Sequence, residues 1–186
     1  MKILFLGYSD SPLIDYLRSS GDEIVVMTAR LTPEILRGCE PDWIVSYGYR
    51  YIISPTLLAL YPDQFINLHI AYLPWNRGAD PNLWSWIGST PKGVTIHYID
   101  KGVDTGDIIA QREVAFGDQE TLASSYARLQ AEIQKLFREV WPGIKAGVAS
   151  RQPQVGKGSY HCVADRERVE HLLTGGYDTP TRNLRK

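Results

Sequence analysis

Short apolar runs alternate with amphipathic stretches over the first seventy residues of the chain. The run Lys2–Gly7 is apolar almost throughout, which is typical of a strand covered on both faces. The segment Ser9–Ser20 carries its apolar residues at helical spacing and stops at Gly21. Further predicted elements are strands at Glu23–Thr28, Asp42–Ser46 and Phe65–His69, a helix or loop at Thr32–Arg37, and a short helix from Ser54-Pro55 through Leu60. This alternation predicts βαβ units and a mostly parallel sheet.

The pattern changes after residue 69. A loop over residues 70–79 leads to Asp80-Pro81, a cap and first-turn proline that predict a helix through Ile87. The remaining elements are strands at Gly93–Ile99 and Asp107–Val114 and a long amphipathic helix from Leu122 to about Pro142-Gly143. We therefore predict an α/β fold, with a Rossmann-like, mostly parallel twisted sheet flanked by helices. Residues 1–148 form its core, and residues 149–186 form a short C-terminal extension of the same domain.

Composition limits the classes of function. The chain has 186 residues, 44% of them hydrophobic and 22% charged, which suits one globular domain with a sizeable core. The net charge of -1 shows no basic excess, so we expect no nucleic-acid partner. No apolar run has the length of a membrane span or the form of a signal peptide, so we expect no membrane partner. The two cysteines lack metal spacing, and we predict no metal and a cytoplasmic location.

Three polar side chains at predicted element ends form the candidate chemistry. Asn67 and His69 alternate on one strand, so they share a face, and they lie at its C-terminal end, where open α/β sheets bind ligands. Asp104 lies in a glycine-containing turn. If neighbouring strands bring it to His69, the carboxylate fixes the tautomer of the imidazole and stabilises its protonated form. Taken singly, each residue has a plainer interpretation: a capping Asn, a structural His and an Asx-turn.

Other polar and aromatic residues are weaker candidates. Trp75 and Arg77 lie in an irregular loop and are candidate substrate contacts, and His97, on a strand, is a third. The competing interpretations are that Arg77 is a solvated surface arginine and that His97 is a strand histidine whose hydrogen bonds are satisfied. His161 is interpreted as a structural or solvated residue. The G-Y-S-D-S-P sequence after the first strand lacks the glycines of a dinucleotide fingerprint, so we reject NAD or FAD binding.

Four ordered motifs identify a family resemblance. The segments NLHIAYLPWNRGADP and KGVTIHYIDKGVDTGDII contain N-x-H, L-P-x-x-R-G, G-V-T-I-H and D-T-G-D-I. Together they resemble the catalytic core of the formyltransferases, which comprise the glycinamide ribonucleotide, methionyl-tRNA and sugar N-formyltransferases. The resemblance implies N10-formyltetrahydrofolate as formyl donor and Asn67, His69 and Asp104 as the catalytic trio. It also implies that the donor's pterin lies against Tyr49–Ile53 and the turn Ile99–Asp104, largely through backbone contacts. The implied cofactor-binding residues are Tyr49, Arg50, Tyr51, Ile53, Ile99, Asp100 and Val103.

The same resemblance leaves the acceptor amine open. The L-P-W-N-R-G-A-D-P loop and the C-terminal segment look most like the sugar N-formyltransferases, which implies a nucleotide-linked amino sugar as acceptor. An alternative is the formylation domain of nonribosomal peptide synthetases, which acts on an aminoacyl group on a carrier protein. A catalytically silent folate- or sugar-nucleotide-binding module is a second alternative. The aromatic C-terminal half could also form the interface of a homodimer.

Overall fold

Six strands form one twisted sheet in the computed structural model, which describes residues 1–184. The strands are β1 (Lys2–Gly7), β2 (Glu23–Met27), β3 (Trp43–Tyr47), β4 (Phe65–His69), β6 (Gly93–Tyr98) and β7 (Ile108–Glu113), in the spatial order β2-β1-β3-β4-β6-β7. The ladders from β2 to β4 are parallel, and β6 and β7 extend the sheet antiparallel. The predicted mostly parallel α/β architecture is confirmed.

Four of the five α-helices within residues 1–184 begin at a proline. They are α1 (Pro12–Ser19), α2 (Pro33–Cys39), α3 (Pro55–Leu60) and α4 (Pro81–Ile87), and α5 (Leu122–Lys145) is the long one. The side chains of Ser11, Thr32 and Ser54 accept a hydrogen bond from a backbone N–H of the first turn, as N-caps do. Asp80 also occupies the cap position, but it has a left-handed backbone and its side chain makes no capping hydrogen bond.

The long helix continues past the proline at which we expected it to end. Pro142 lies inside α5, where its missing N–H leaves the carbonyl of Arg138 without a helical donor. The Tyr16 hydroxyl donates to that carbonyl at 3.1 Å, so the lost bond is replaced from α1. The expectation was wrong because a tertiary contact supplies the hydrogen bond that the sequence cannot show.

Both faces of the sheet are buried. Along β1, Ile3 and Phe5 pack towards α1 and α5, whereas Leu4 and Leu6 pack towards α2 and α3. A third apolar cluster lies between α4, the start of α5 and the C-terminal segment, and it includes Trp86. Because helices cover both faces of the sheet, the carboxyl ends of the parallel strands are the part of the sheet that is left for a ligand to reach.

The segment after α5 consists of short, irregular pieces. Its two-residue strand β8 (Tyr160–His161) pairs in parallel with a two-residue strand β5 (Arg77–Gly78) inside the predicted loop. Four short 3-10 helices follow, at Val163–Arg168, Glu170–Leu172, Gly176–Asp178 and Thr181–Asn183. A boundary between a core and an extension near residue 148 remains a prediction. Among residues 1–184, no helix is long and apolar enough to span a bilayer.

Candidate active site

The three candidate catalytic side chains meet at the end of β4. The Asn67 amide donates to Asp104 Oδ1 at 3.1 Å, and His69 Nδ1 lies 3.7 Å from Asp104 Oδ2. Our reason for expecting this contact was wrong, because β6 runs antiparallel to β4 and its carboxyl end lies opposite Ile66. Asp104 reaches the other two side chains because the turn after β6 folds back, with Asp104 itself in the left-handed region at φ 53°.

A neighbouring glycine fixes the carboxylate from the other side. The backbone N–H of Gly78 donates to Asp104 Oδ2 at 2.8 Å. Gly78 has φ 87°, and a Cβ atom there would lie 2.3 Å from the carbonyl oxygen of His161. A side chain at this position would therefore collide with β8, so glycine is needed to bring the N–H to the carboxylate.

Hydrogen bonds to carbonyl groups define the protonation pattern of the two histidines. His69 Nε2 is 3.1 Å from the Asn76 carbonyl oxygen, which only accepts, so Nε2 carries a proton and Nδ1 faces Asp104. His97 Nδ1 is likewise 2.7 Å from the Tyr98 carbonyl oxygen. In the neutral His97 ring, Nε2 is therefore an acceptor, and the Asn67 amide lies 3.3 Å from it. Nδ1 of His69 is thus the atom that can take up a proton beside the carboxylate.

Asp104 is held in its charged form. Burial alone would raise the pKa of this carboxyl group, but it is outweighed by the positive charges that His69 and His97 carry when protonated, by a hydrogen bond from protonated His97, and by the N–H of Gly78. Together they hold the pKa of Asp104 well below its usual range. The site therefore keeps a negative charge next to His69 Nδ1 at neutral and mildly acidic pH.

A cavity of about 910 Å³ opens beside these residues. Asn67, His69 and Asp104 line it, and so do all seven residues of the expected cofactor site, namely Tyr49, Arg50, Tyr51, Ile53, Ile99, Asp100 and Val103. These seven come from two segments, one after β3 and one after β6. Among the described residues, no group of three or more His, Cys, Asp or Glu side chains is arranged to hold a metal ion.

The three weaker substrate candidates lie in different places. His97 lines the cavity but is only 1% exposed, and its Nε2 faces Asn67 and Asp104. Trp75 and Arg77 are not part of the cavity wall. The Arg77 guanidinium instead donates twice to the side chain of Gln154, at 3.1 and 2.7 Å.

The sequence interpretation missed a second wall of the cavity. It contains Tyr8, directly after β1, Tyr126 on α5, and Arg166 and Tyr177 from the C-terminal segment. His161 also lines the cavity, and its ring stacks on Trp84 with the ring centres 4.0 Å apart. The position of Tyr8 after a parallel strand could have suggested it. The others come from a helix face and irregular pieces whose sequence gives no sign of a shared pocket.

This arrangement matches known proteins in fold and in sequence. The formyl transferase family model matches residues 29–141. The formyltransferase PseJ from Anoxybacillus kamchatkensis is 49% identical, with a TM-score of 0.95 and coverage of 99% of this chain and 97% of that one. Its crystal structure is a complex with UDP-4,6-dideoxy-4-formamido-L-AltNAc and tetrahydrofolate.

More distant structures share the same fold. A Mycobacterium tuberculosis protein inferred to be a sugar N-formyltransferase is 27% identical, with a TM-score of 0.78 and coverage of 90% of this chain and 78% of that one. A 4-N formyltransferase from Francisella tularensis, 22% identical, superimposes with a TM-score of 0.76 over 90% of this chain and 78% of its own length. The chain belongs to the formyltransferase family.

Proposed function

We propose that this protein transfers the formyl group of N10-formyltetrahydrofolate to the 4-amino group of a UDP-linked 4-amino-4,6-dideoxy sugar. The contact of Asn67, His69 and Asp104 at one cavity is the observation that carries the proposal. The acceptor class rests on the likeness to PseJ, whose bound ligand is the formylated UDP-sugar and of whose length 97% is matched. The likeness favours a sugar nucleotide over an aminoacyl carrier protein.

The chemistry requires one bond to form, one to break and one proton to move. The neutral amine attacks the formyl carbon, and a C–N bond forms as the formyl oxygen gains negative charge. Asn67 supplies an N–H to this oxygen by exchanging its contact with His97 for one with the substrate, and His69 is the second donor once its Nδ1 has taken up the proton that the amine loses. As the bond from the formyl carbon to N10 breaks, the amine loses a proton and N10 gains one.

Asp104 and His69 are suited to carry that proton. The carboxylate stays ionised, and it faces the one ring nitrogen of His69 that is not bound to a carbonyl group. A proton from the amine can be accepted here and returned to N10, directly or through water. Removing one stabilising donor of this kind costs about 2.7–4 kcal/mol in the activation barrier. Alignment of the two bound substrates supplies much of the remaining acceleration.

We propose that the donor and the acceptor use different walls of the cavity. The segments with Tyr49–Ile53 and Ile99–Val103 suit the folate, in keeping with the family resemblance. Arg50 and Arg166 are the two Lys or Arg side chains among the described residues that line the cavity. Because Arg50 belongs to the folate wall, Arg166 is the proposed partner of the diphosphate of the UDP-linked sugar. The diphosphate would replace the Glu170 carboxylate, which lies 3.0 Å from Arg166 Nε.

Two further expectations belong to this proposal. We propose a cytoplasmic location, because both cysteines are free and the proposed donor and acceptor are soluble metabolites. A homodimer through the C-terminal half also remains a prediction.

An acceptor panel tests the proposal. The purified protein is mixed with N10-formyltetrahydrofolate and either the UDP-linked 4-amino sugar, a dTDP-linked amino sugar, or an aminoacylated carrier protein. Release of tetrahydrofolate and the mass of the acceptor are followed together. We expect formylation of the UDP-linked sugar at the highest kcat/KM. Preferred formylation of the carrier protein would support the first alternative, and tight binding of both ligands without product would support the silent module.

A further inference from the structure

One side chain of the C-terminal segment connects it to the backbone of Asp104. The Gln154 amide nitrogen donates to the carbonyl oxygen of Asp104 at 2.8 Å and to that of Gly106 at 2.9 Å. Both donors of the amide are therefore used on the turn that carries the carboxylate. Gln154 is half-buried, whereas its neighbours Pro153 and Val155 are exposed.

The other end of the same amide is fixed by Arg77. Its Nε and one terminal nitrogen donate to the Gln154 oxygen at 3.1 and 2.7 Å. Because arginine only donates and the two turn carbonyls only accept, the amide has one orientation that satisfies all four contacts. The residue after Arg77 is Gly78, whose N–H binds the Asp104 carboxylate. Strand β5 thus holds the side chain of Asp104 directly and its backbone through Gln154.

The turn needs this support for a physical reason. Asp104 has a left-handed backbone, with φ 53°, which is unfavourable for a residue other than glycine. The flanking Val103 is only half-buried and Thr105 is exposed, so apolar packing does little to fix the turn. An unfixed turn would let the carboxylate drift from His69 Nδ1, and misplacement of a catalytic group by about 1 Å can cost about 100-fold in rate.

We propose that Gln154 is a positioning residue that holds Asp104 in its catalytic geometry. Through it, a residue of the irregular C-terminal segment that does not line the cavity takes part in formyl transfer. This inference rests on the proposed function for its kinetic consequence. The hydrogen-bond pattern that carries it is a property of the protein alone.

Replacing Gln154 by Glu gives the sharpest test. The new carboxylate keeps both contacts with Arg77, but it presents negative charge to the carbonyl groups of Asp104 and Gly106. A residue that only anchors the segment to Arg77 would tolerate this change. A positioning residue would not, so we expect kcat to fall about 10- to 100-fold, while KM for both substrates stays within about threefold.

A matched control and a second variant accompany this test. Gln152→Glu makes the same chemical change two residues away, where the backbone pairs with Ile108 and the side chain is exposed, and it should keep wild-type kcat. Gln154→Met removes the donors without adding charge and should show the same loss of kcat. In an Asp104→Asn background, Gln154→Glu should lower kcat only slightly further, because both changes act through the side chain at position 104.

Hydrogen exchange provides a measurement that does not depend on activity. The amides of residues 103–106 should exchange faster in Gln154→Glu than in Gln152→Glu. Wild-type kcat in both Gln154 variants, or unchanged exchange in this turn, would overturn the inference. Faster exchange together with a wild-type protein that forms no formylated product would leave the positioning role standing and would overturn the proposed function instead.

Discussion

Replacing Asp104 by Asn removes one negative charge at nearly constant shape. The carboxylate accepts from the Asn67 amide and from the Gly78 N–H, at 3.1 and 2.8 Å. An amide has one accepting oxygen and one donating nitrogen, so one of these two donors would face another donor. An unsatisfied buried donor costs about 1–3 kcal/mol, which we expect as the loss in free energy of unfolding at neutral pH. Loss of proton transfer should lower kcat by about 100- to 10,000-fold.

The loss of stability should depend on pH in a defined direction. The folded state lowers the pKa of Asp104, so the ionised carboxyl stabilises the fold above the unfolded-state pKa of about 3.9. That stabilisation is lost as the pH falls through the folded-state pKa. The difference in free energy of unfolding between wild type and Asp104→Asn should therefore have its full size at pH 7 and should shrink below about pH 4. Urea denaturation at a series of pH values measures it.

The matched control is Asp107→Asn. Asp107 lies near the end of the same turn, but it is bound to Arg151 at 2.8 Å and is not part of the cavity wall. This partly exposed pair should contribute at most about 1 kcal/mol to stability, and kcat should remain near the wild-type value. An Asp104→Asn protein with near wild-type kcat, or with a stability deficit that grows as the pH falls, would refute the reasoning.

Three further predictions concern the trio and the core. His69→Ala should fold, as circular dichroism would report, yet lose about 100-fold or more in kcat, and full activity would exclude the proposed proton transfer. Because Asp104 stays ionised, wild-type activity should fall on the acid side as the acceptor amine protonates, and a flat kcat/KM profile to strongly acidic pH would contradict the role of the neutral amine as the nucleophile. Phe137→Ala removes a fully buried ring and should lower the free energy of unfolding by about 3–5 kcal/mol in urea, and a loss below about 1 kcal/mol would contradict the packing.

The first half of the fold is predictable because its signals are local. The apolar run of Lys2–Gly7 is a buried strand in the interior of the sheet, and Ser54-Pro55 begins a helix with the expected side-chain cap. The four motifs likewise predicted the family, which is confirmed. Each of these features depends on residues that are close together in the sequence, where dihedral preferences and capping hydrogen bonds act directly.

The rest depends on contacts between distant residues. Strands β5 and β8 are two residues long, too short for any alternation of polar and apolar residues to appear. The link from Gln154 to Asp104 joins residues 50 positions apart through a side chain in an irregular segment. The antiparallel direction of β6 was also missed, so Asp104 reaches His69 by a folded-back turn that the sequence pattern did not indicate.

Transfer of an isotopically labelled formyl carbon tests the central claim most directly. N10-formyltetrahydrofolate labelled with ¹³C at the formyl group is mixed with the protein and the UDP-linked 4-amino sugar, and the carbon is followed by nuclear magnetic resonance. We predict that the label appears in the sugar formamide in wild type, and far more slowly in Asp104→Asn. Label that appears as free formate, or that stays on the folate while both substrates are bound, would contradict the account.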